Sequence, residues 1–168
     1  MIGLLCAAML FASGQQGESS SSGIAVSAPG VYPIVTEPVT LRALVPQRSG
    51  TPDWSTNQAT VYLEELTGVH IEFEVAPNFA QAVTLAVASA EYPDFTMNAS
   101  MAASDVMKYG PQGILIPLND LIEEHGVNTK KMFANDPMVK KVITTPDGNI
   151  YGLPGINDDL HGVYRPKI

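Results

Sequence analysis

The side chains best suited to chemistry crowd into residues 47–57, QRSGTPDWSTN. Trp54 is the lone tryptophan of the chain. An indole offers a flat apolar face that stacks on a sugar ring and an N–H that donates to a hydroxyl. Gln47, Arg48, Asp53 and Asn57 stand beside it and can bond hydroxyls, although each taken alone reads equally well as a solvated loop residue. Trp54 has its own alternative, a packing residue that covers the start of the next helix. Asn98 and Ser100 form a second group, where they line a cleft or cap the helix that follows. Tyr109 and Tyr164 carry rings that could stack on a sugar or fill a core with the hydroxyl wet.

The remaining constellations give no catalytic centre. Asp158, Asp159 and His161 have metal-ligand residue types without an established ligand spacing, and read as polar residues of a cleft, a hinge or a solvated loop. Asp147-Gly148-Asn149 lacks the frame of a calcium loop and is explained by a turn. The carboxylate pairs Glu64/Glu65, Glu72/Glu74 and Glu123/Glu124 have the residue types of glycoside hydrolysis, yet each fits a solvated face. No Gly-x-Ser-x-Gly elbow, His-Glu-x-x-His or phosphate loop occurs. Cys6, the single cysteine, lies in an N-terminal apolar leader, which takes disulfides, thiolate-bound zinc and cysteine nucleophiles out of the body of the chain. No cofactor, no metal and no enzymatic activity are expected. A net charge of −8 argues against a nucleic-acid partner, whose phosphates demand a basic face.

These groups need elements to hold them. Residues 39–45, VTLRALV, have the pattern of a strand covered on both faces, with Arg42 its only charge. It ends at Pro46, so the Trp54 loop follows a buried strand, where open α/β folds keep ligand contacts. Over 55–67, Ala59, Tyr62, Leu63 and Leu66 fall on one helical face with Glu64 and Glu65 turned outward, and Gly68 closes the helix. Ile71, Phe73 and Val75 then alternate with His70, Glu72 and Glu74, the pattern of an edge strand. Asn78 to Gln81 resemble a capping box for a second helix, on which Val83, Val87 and Ala90 share a face. A short strand over 93–97 and a helix over 102–109 complete a strand–helix alternation that implies parallel strands with right-handed crossovers.

Further along, Asn119 is expected to cap LNDLIEEHG, which Gly126 closes. Residues 130–133 add a helical turn, and Asp136-Pro137 start PMVKKVI. Residues 142–156 hold the strongest turn signal: Asp147-Gly148 between Val142-Ile143 and Ile150-Tyr151 predicts two short antiparallel strands, with the chain leaving the sheet at Pro154-Gly155. At the other end, residues 1–14 read as a signal-like leader and 15–34 as a flexible Ser/Gly-rich tether.

Five segments in order, VTLRALV with its loop QRSGTPDWSTN, LEELTGVHIEFE, ASAEYPDF, KYGPQGILIPLNDLIEEHG and TPDGNIYGLP, resemble the amino-terminal third of an extracellular solute-binding protein of a carbohydrate ABC importer. The resemblance covers about residues 39–164. It implies a periplasmic-binding-protein-like (type II) α/β first lobe over 35–156, with a mostly parallel sheet, flanking helices and a C-terminal β-hairpin. Residues 157–168 would begin the crossover to an absent second lobe. It also implies a monomeric, exported binder that traps a sugar or oligosaccharide between two lobes and docks on ABC permease transmembrane subunits at the outer face of the cell membrane. Lipoprotein members carry an acylated cysteine where this chain has Gln15. A surface interaction protein on half of this fold and a fragment of a polysaccharide-degrading enzyme are the alternatives. The implied ligand-binding residues are Trp54, Asn57, Gln47, Asp53, Asn98, Ser100, Asp158, His161 and Tyr164.

Overall fold

The computed structural model describes residues 24–51, 53–99 and 101–155. The leader, the first part of the tether, Ser100, Asp158, His161 and Tyr164 lie outside the described residues.

Three parallel strands make the sheet: β1 (Val39–Pro46), β2 (Val69–Ala76) and β3 (Phe95–Thr96), in the order β2-β1-β3. The central place of β1 follows from its sequence, since an apolar run can be covered on both faces. Ala43 and Val45 are fully buried on one face, with Trp54, Ile71, Phe73, Phe95 and Met97. Leu44 is buried on the other, with Ala76, Val83 and Tyr109. Among the described residues β2 is an edge strand, as its charged alternation requires, with one deviation: Val75 is exposed and Ala76 is buried instead.

Helix α1 (Gln58–Thr67) runs from β1 to β2 and α2 (Phe79–Ser89) from β2 to β3. Asn57 caps α1 by accepting the Ala59 N–H at 2.9 Å, and Asn78 caps α2 by accepting the Gln81 N–H at 3.2 Å. Gly68 ends α1 in the left-handed region at φ 77°. The expected facing of α1 is not observed. No residue of α1 is buried, and Tyr62 and Leu63 are among its exposed apolar side chains. Glu64, expected to face outward, turns to β2, where it accepts the Ile71 N–H at 2.8 Å and meets the His70 Nδ1.

Helix α3 (Ala103–Tyr109) follows β3, with Ala102 at its cap position and no side-chain cap. Three short helices, α4 (Asn119–His125), α5 (Val127–Asn135) and α6 (Pro137–Ile143), then pack with Ile150 around a separate apolar cluster of Ile122 and Phe133. Asp136 caps α6 by accepting the Met138 N–H, with Pro137 in the first turn, as expected.

The predicted hairpin is corrected here. Val142 and Ile143 belong to α6, because the Asp136-Pro137 start carries the helix through them, and the antiparallel pairing shrinks to one bridge, Thr144 to Ile150. The turn itself is present. The Gly148 N–H donates to the Thr145 carbonyl and the Thr145 N–H to the Asn149 carbonyl, both at 2.9 Å, with Gly148 at φ 85°. Asn119 is likewise corrected: Leu118 holds the cap position of α4, without a side-chain bond. The Asn119 amide instead donates to the Gly148 carbonyl at 3.1 Å and accepts the Ile150 N–H at 2.9 Å. Part of the expected tether also folds back. Val26 bridges Val35, and the Ile34 and Val35 N–H groups donate to the Thr67 carbonyl at the end of α1. Among the described residues, no helix is long and apolar enough to cross a membrane.

Candidate functional site

In the order β2-β1-β3 the chain leaves β1 towards one edge, through α1 to β2, then returns across to β3 on the other side. The loops after β1 and β3 therefore part company at their carboxyl ends and leave a crevice between them, the place where open α/β sheets bind ligands. A cavity of about 280 Å³ lies there, lined from the β1 loop by Arg48, Thr51 and Trp54, from the start of α1 by Asn57, Ala59, Thr60 and Leu63, and from the end of β3 by Met97 and Asn98.

Trp54 is the inner wall. Only 8% of it is exposed, and its ring stacks on Phe73 with centroids 6.0 Å apart and planes at 26°. The packing role therefore holds, with the remaining surface turned to the cavity. Its Nε1–H is buried and has no hydrogen-bond partner among the described residues. An unpaired buried donor costs about 1–3 kcal/mol.

Asn57 contributes differently: its Oδ1 is taken by the Ala59 N–H, which leaves the NH2 end to donate. Arg48 is held by its Nη2, which donates to the Asn98 carbonyl at 2.5 Å and ties the β1 loop to the β3 loop. Asn98 sits at φ 54°, a left-handed conformation that asparagine tolerates better than most residues.

The structure thus brings together Trp54, Asn57 and Asn98, with Arg48, and leaves Gln47, Asp53 and Tyr109 apart, while Ser100, Asp158, His161 and Tyr164 lie outside the described residues. Gln47 and Asp53 are not among the residues that line the cavity. The Gln47 N–H extends the sheet by donating to the Ala76 carbonyl. The Asp53 carboxylate accepts the hydroxyl and the N–H of Ser55, bonds that shape the loop and hold its pKa below the ordinary value. Tyr109 is core, 7% exposed among Leu44, Ala76 and Val83. Asn98 does not cap α3, whose cap position is Ala102.

Sequence reasoning missed Thr51, Thr60, Leu63 and Met97. Thr60 lies three positions after Asn57 on a helix and so shares its face, a signal that was available. Among the described residues no group of three or more His, Cys, Asp or Glu could hold a metal ion.

In sequence and in structure this chain resembles one class of proteins, the substrate-binding proteins of ABC transporters. The particular relatives are these. The fructooligosaccharide ABC transporter substrate-binding protein FusA of Streptococcus pneumoniae serotype 4 is 36% identical over 97 residues, which is 57% of this chain and 18% of FusA. The solved structure of S. pneumoniae FusA with kestose superposes at a TM-score of 0.66 and 32% identity, covering 70% of this chain and 24% of that one. The alginate-binding protein AlgQ2, solved without calcium ion, gives 0.62 and 27%, over 74% of this chain and 26% of that one. This chain therefore spans about a quarter or less of the length of each relative. No family model matches it.

Proposed function

We propose that residues 35–156 form the first lobe of an exported solute-binding protein that captures a sugar or oligosaccharide and delivers it to an ABC permease at the outer face of the cell membrane. Residues 157–168 then begin the crossover to a second lobe. The observation that carries this reading is the crevice between the β1 and β3 loops, walled by Trp54 and rimmed by Arg48, Asn57 and Asn98. The relatives' names support it: one is described as a fructooligosaccharide binder, with kestose in its solved complex, and the other as an alginate binder. In this scheme the protein is a monomeric binder and not an enzyme. Ligand contacts are stronger in the closed arrangement of two lobes, and that differential affinity drives closure.

One lobe supplies only part of the contacts. The 168-residue chain should accordingly bind saccharides weakly, with dissociation constants on the order of millimolar, about −4 kcal/mol. Trp54 is the only tryptophan, so its fluorescence reports on the crevice without interference. Titration with a panel of neutral and acidic mono- and oligosaccharides should give a saturable change for at least one of them. A flat response across the panel would overturn the carbohydrate reading.

A further inference from the structure

We infer that the sugar held in this crevice presents a carboxylate to Arg48, so that the ligand class is an acidic saccharide, a hexuronate or an oligosaccharide that contains one. The inference rests on the carbohydrate reading above and narrows it. Among the described residues Arg48 is the only formally charged side chain on the cavity wall, in a protein whose net charge is −8. Among the same residues no carboxylate lines the cavity to neutralise it and Arg48 makes no ion pair. The acid nearest in the loop, Asp53, is engaged with Ser55. One arm of the guanidinium is fixed on the Asn98 carbonyl, which orients the remaining donors.

The balance of hydrogen-bonding groups points the same way. Asn57 brings an amide NH2 to the wall, its own oxygen engaged by the helix cap. On the described wall Arg48 and the Asn57 NH2 thus offer donors, beside Thr51, Thr60 and Asn98, which can both give and accept. A hydroxyl must both give and accept to be satisfied, whereas a carboxylate only accepts and pairs with a guanidinium in a two-pronged geometry. A neutral sugar can satisfy the threonines and Asn98 but leaves the Arg48 charge unpaired, and a sugar acid pairs it.

The test compares galacturonate, glucuronate and mannuronate with galactose, glucose and mannose, which differ from them in carrying a hydroxymethyl group in place of the carboxylate. Glucose 6-phosphate and acetate complete the set. The readout is the single indole N–H resonance of the 15N-labelled 168-residue chain at low ionic strength. At least one uronate should move it saturably with a dissociation constant at least about 10-fold below that of its neutral parent. Arg48→Gln should bring the two within about 2-fold. Asn57→Asp, which keeps a good helix cap but places a negative charge on the wall, should remove the preference without unfolding α1.

A neutral sugar that binds as well as its uronate overturns the inference and leaves the carbohydrate reading standing. So does tighter binding of glucose 6-phosphate, or a shift with acetate as large as with any uronate. If no sugar moves the resonance, both readings fall together.

Discussion

Asp147 does more for its turn than an exposed carboxylate ordinarily does. Its Oδ1 accepts the Thr145 hydroxyl and the Asn149 N–H, and its Oδ2 accepts the Tyr151 hydroxyl at 2.9 Å and the Asn149 amide at 3.2 Å. Those bonds, led by the Thr145 hydroxyl, hold its pKa far below the ordinary aspartate value of 3.8, and the pKa of Tyr151 is pushed up by burial first and then by its bond to the Asp147 carboxylate. The folded value lies below the unfolded one, so the stabilisation is complete above the ordinary value and is lost as pH falls below it. Thermal melts between pH 5 and 8 should therefore show no Asp147-dependent slope. Below about pH 4 stability should fall, and Asp147→Asn should flatten that part of the profile. Asn119 supplies a second test. Asn119→Ala removes both amide bonds to the turn and should cost about 1–3 kcal/mol by chemical denaturation. Neither role was readable locally: Asn119 carries a capping residue type, and the backbone groups it serves lie about thirty residues away.

Among the elements, those set by near-neighbour chemistry were readable and those set by packing were not. β1, β2 and the helix starts at Asn78 and Asp136 follow from apolar runs, alternation and side-chain caps, all properties of a few adjacent residues, whereas the cap at Asn57 went unread. The orientation of α1 depends on what lies above and below it, and periodicity alone turned Glu64 the wrong way. The strand expected at Val142-Ile143 lost to the helix begun at Asp136-Pro137, because a short apolar run fits either state until its cap decides. In the crevice, Trp54 and Asn57 were found through residue type and loop position, whereas Thr60 and Met97 enter only once helix and strand are in place.

The same contrast can be measured at two glycines. A Cβ at Gly68 would meet the Val35 carbonyl at 2.6 Å, and its φ is 77°, whereas Gly148 at φ 85° has nothing within 4 Å. Gly148→Ala should cost only the left-handed penalty, about 1–2 kcal/mol, and Gly68→Ala clearly more. In urea unfolding the two variants should separate in that order. Equal losses would mean that the segment carrying the Val35 carbonyl yields freely.

At the scale of the molecule, the structure rests on a small number of buried groups shared between two sides of one central strand. Leu44 is 2% exposed and joins β1 to α2 and α3. Leu44→Ala should cost about 2–5 kcal/mol, a large part of what a domain of this size has, and should erase the near-ultraviolet signature of Trp54 together with the helical signal. Asn57→Ala, by comparison, should lose about 1 kcal/mol through the cap of α1 alone.

The turn of Glu64 towards β2 has its meaning at this scale. An edge strand offers a free row of donors and acceptors to any passing chain, and proteins blunt such rows with charge. Here the carboxylate occupies the Ile71 N–H in the middle of that row, flanked by His70, Glu72 and Glu74. Strand addition from another molecule would have to displace an ion already hydrogen-bonded to the backbone. Among the described residues Glu64 therefore blocks one backbone donor of β2, and Glu64→Ala should raise light scattering at high protein concentration before it lowers the melting temperature appreciably.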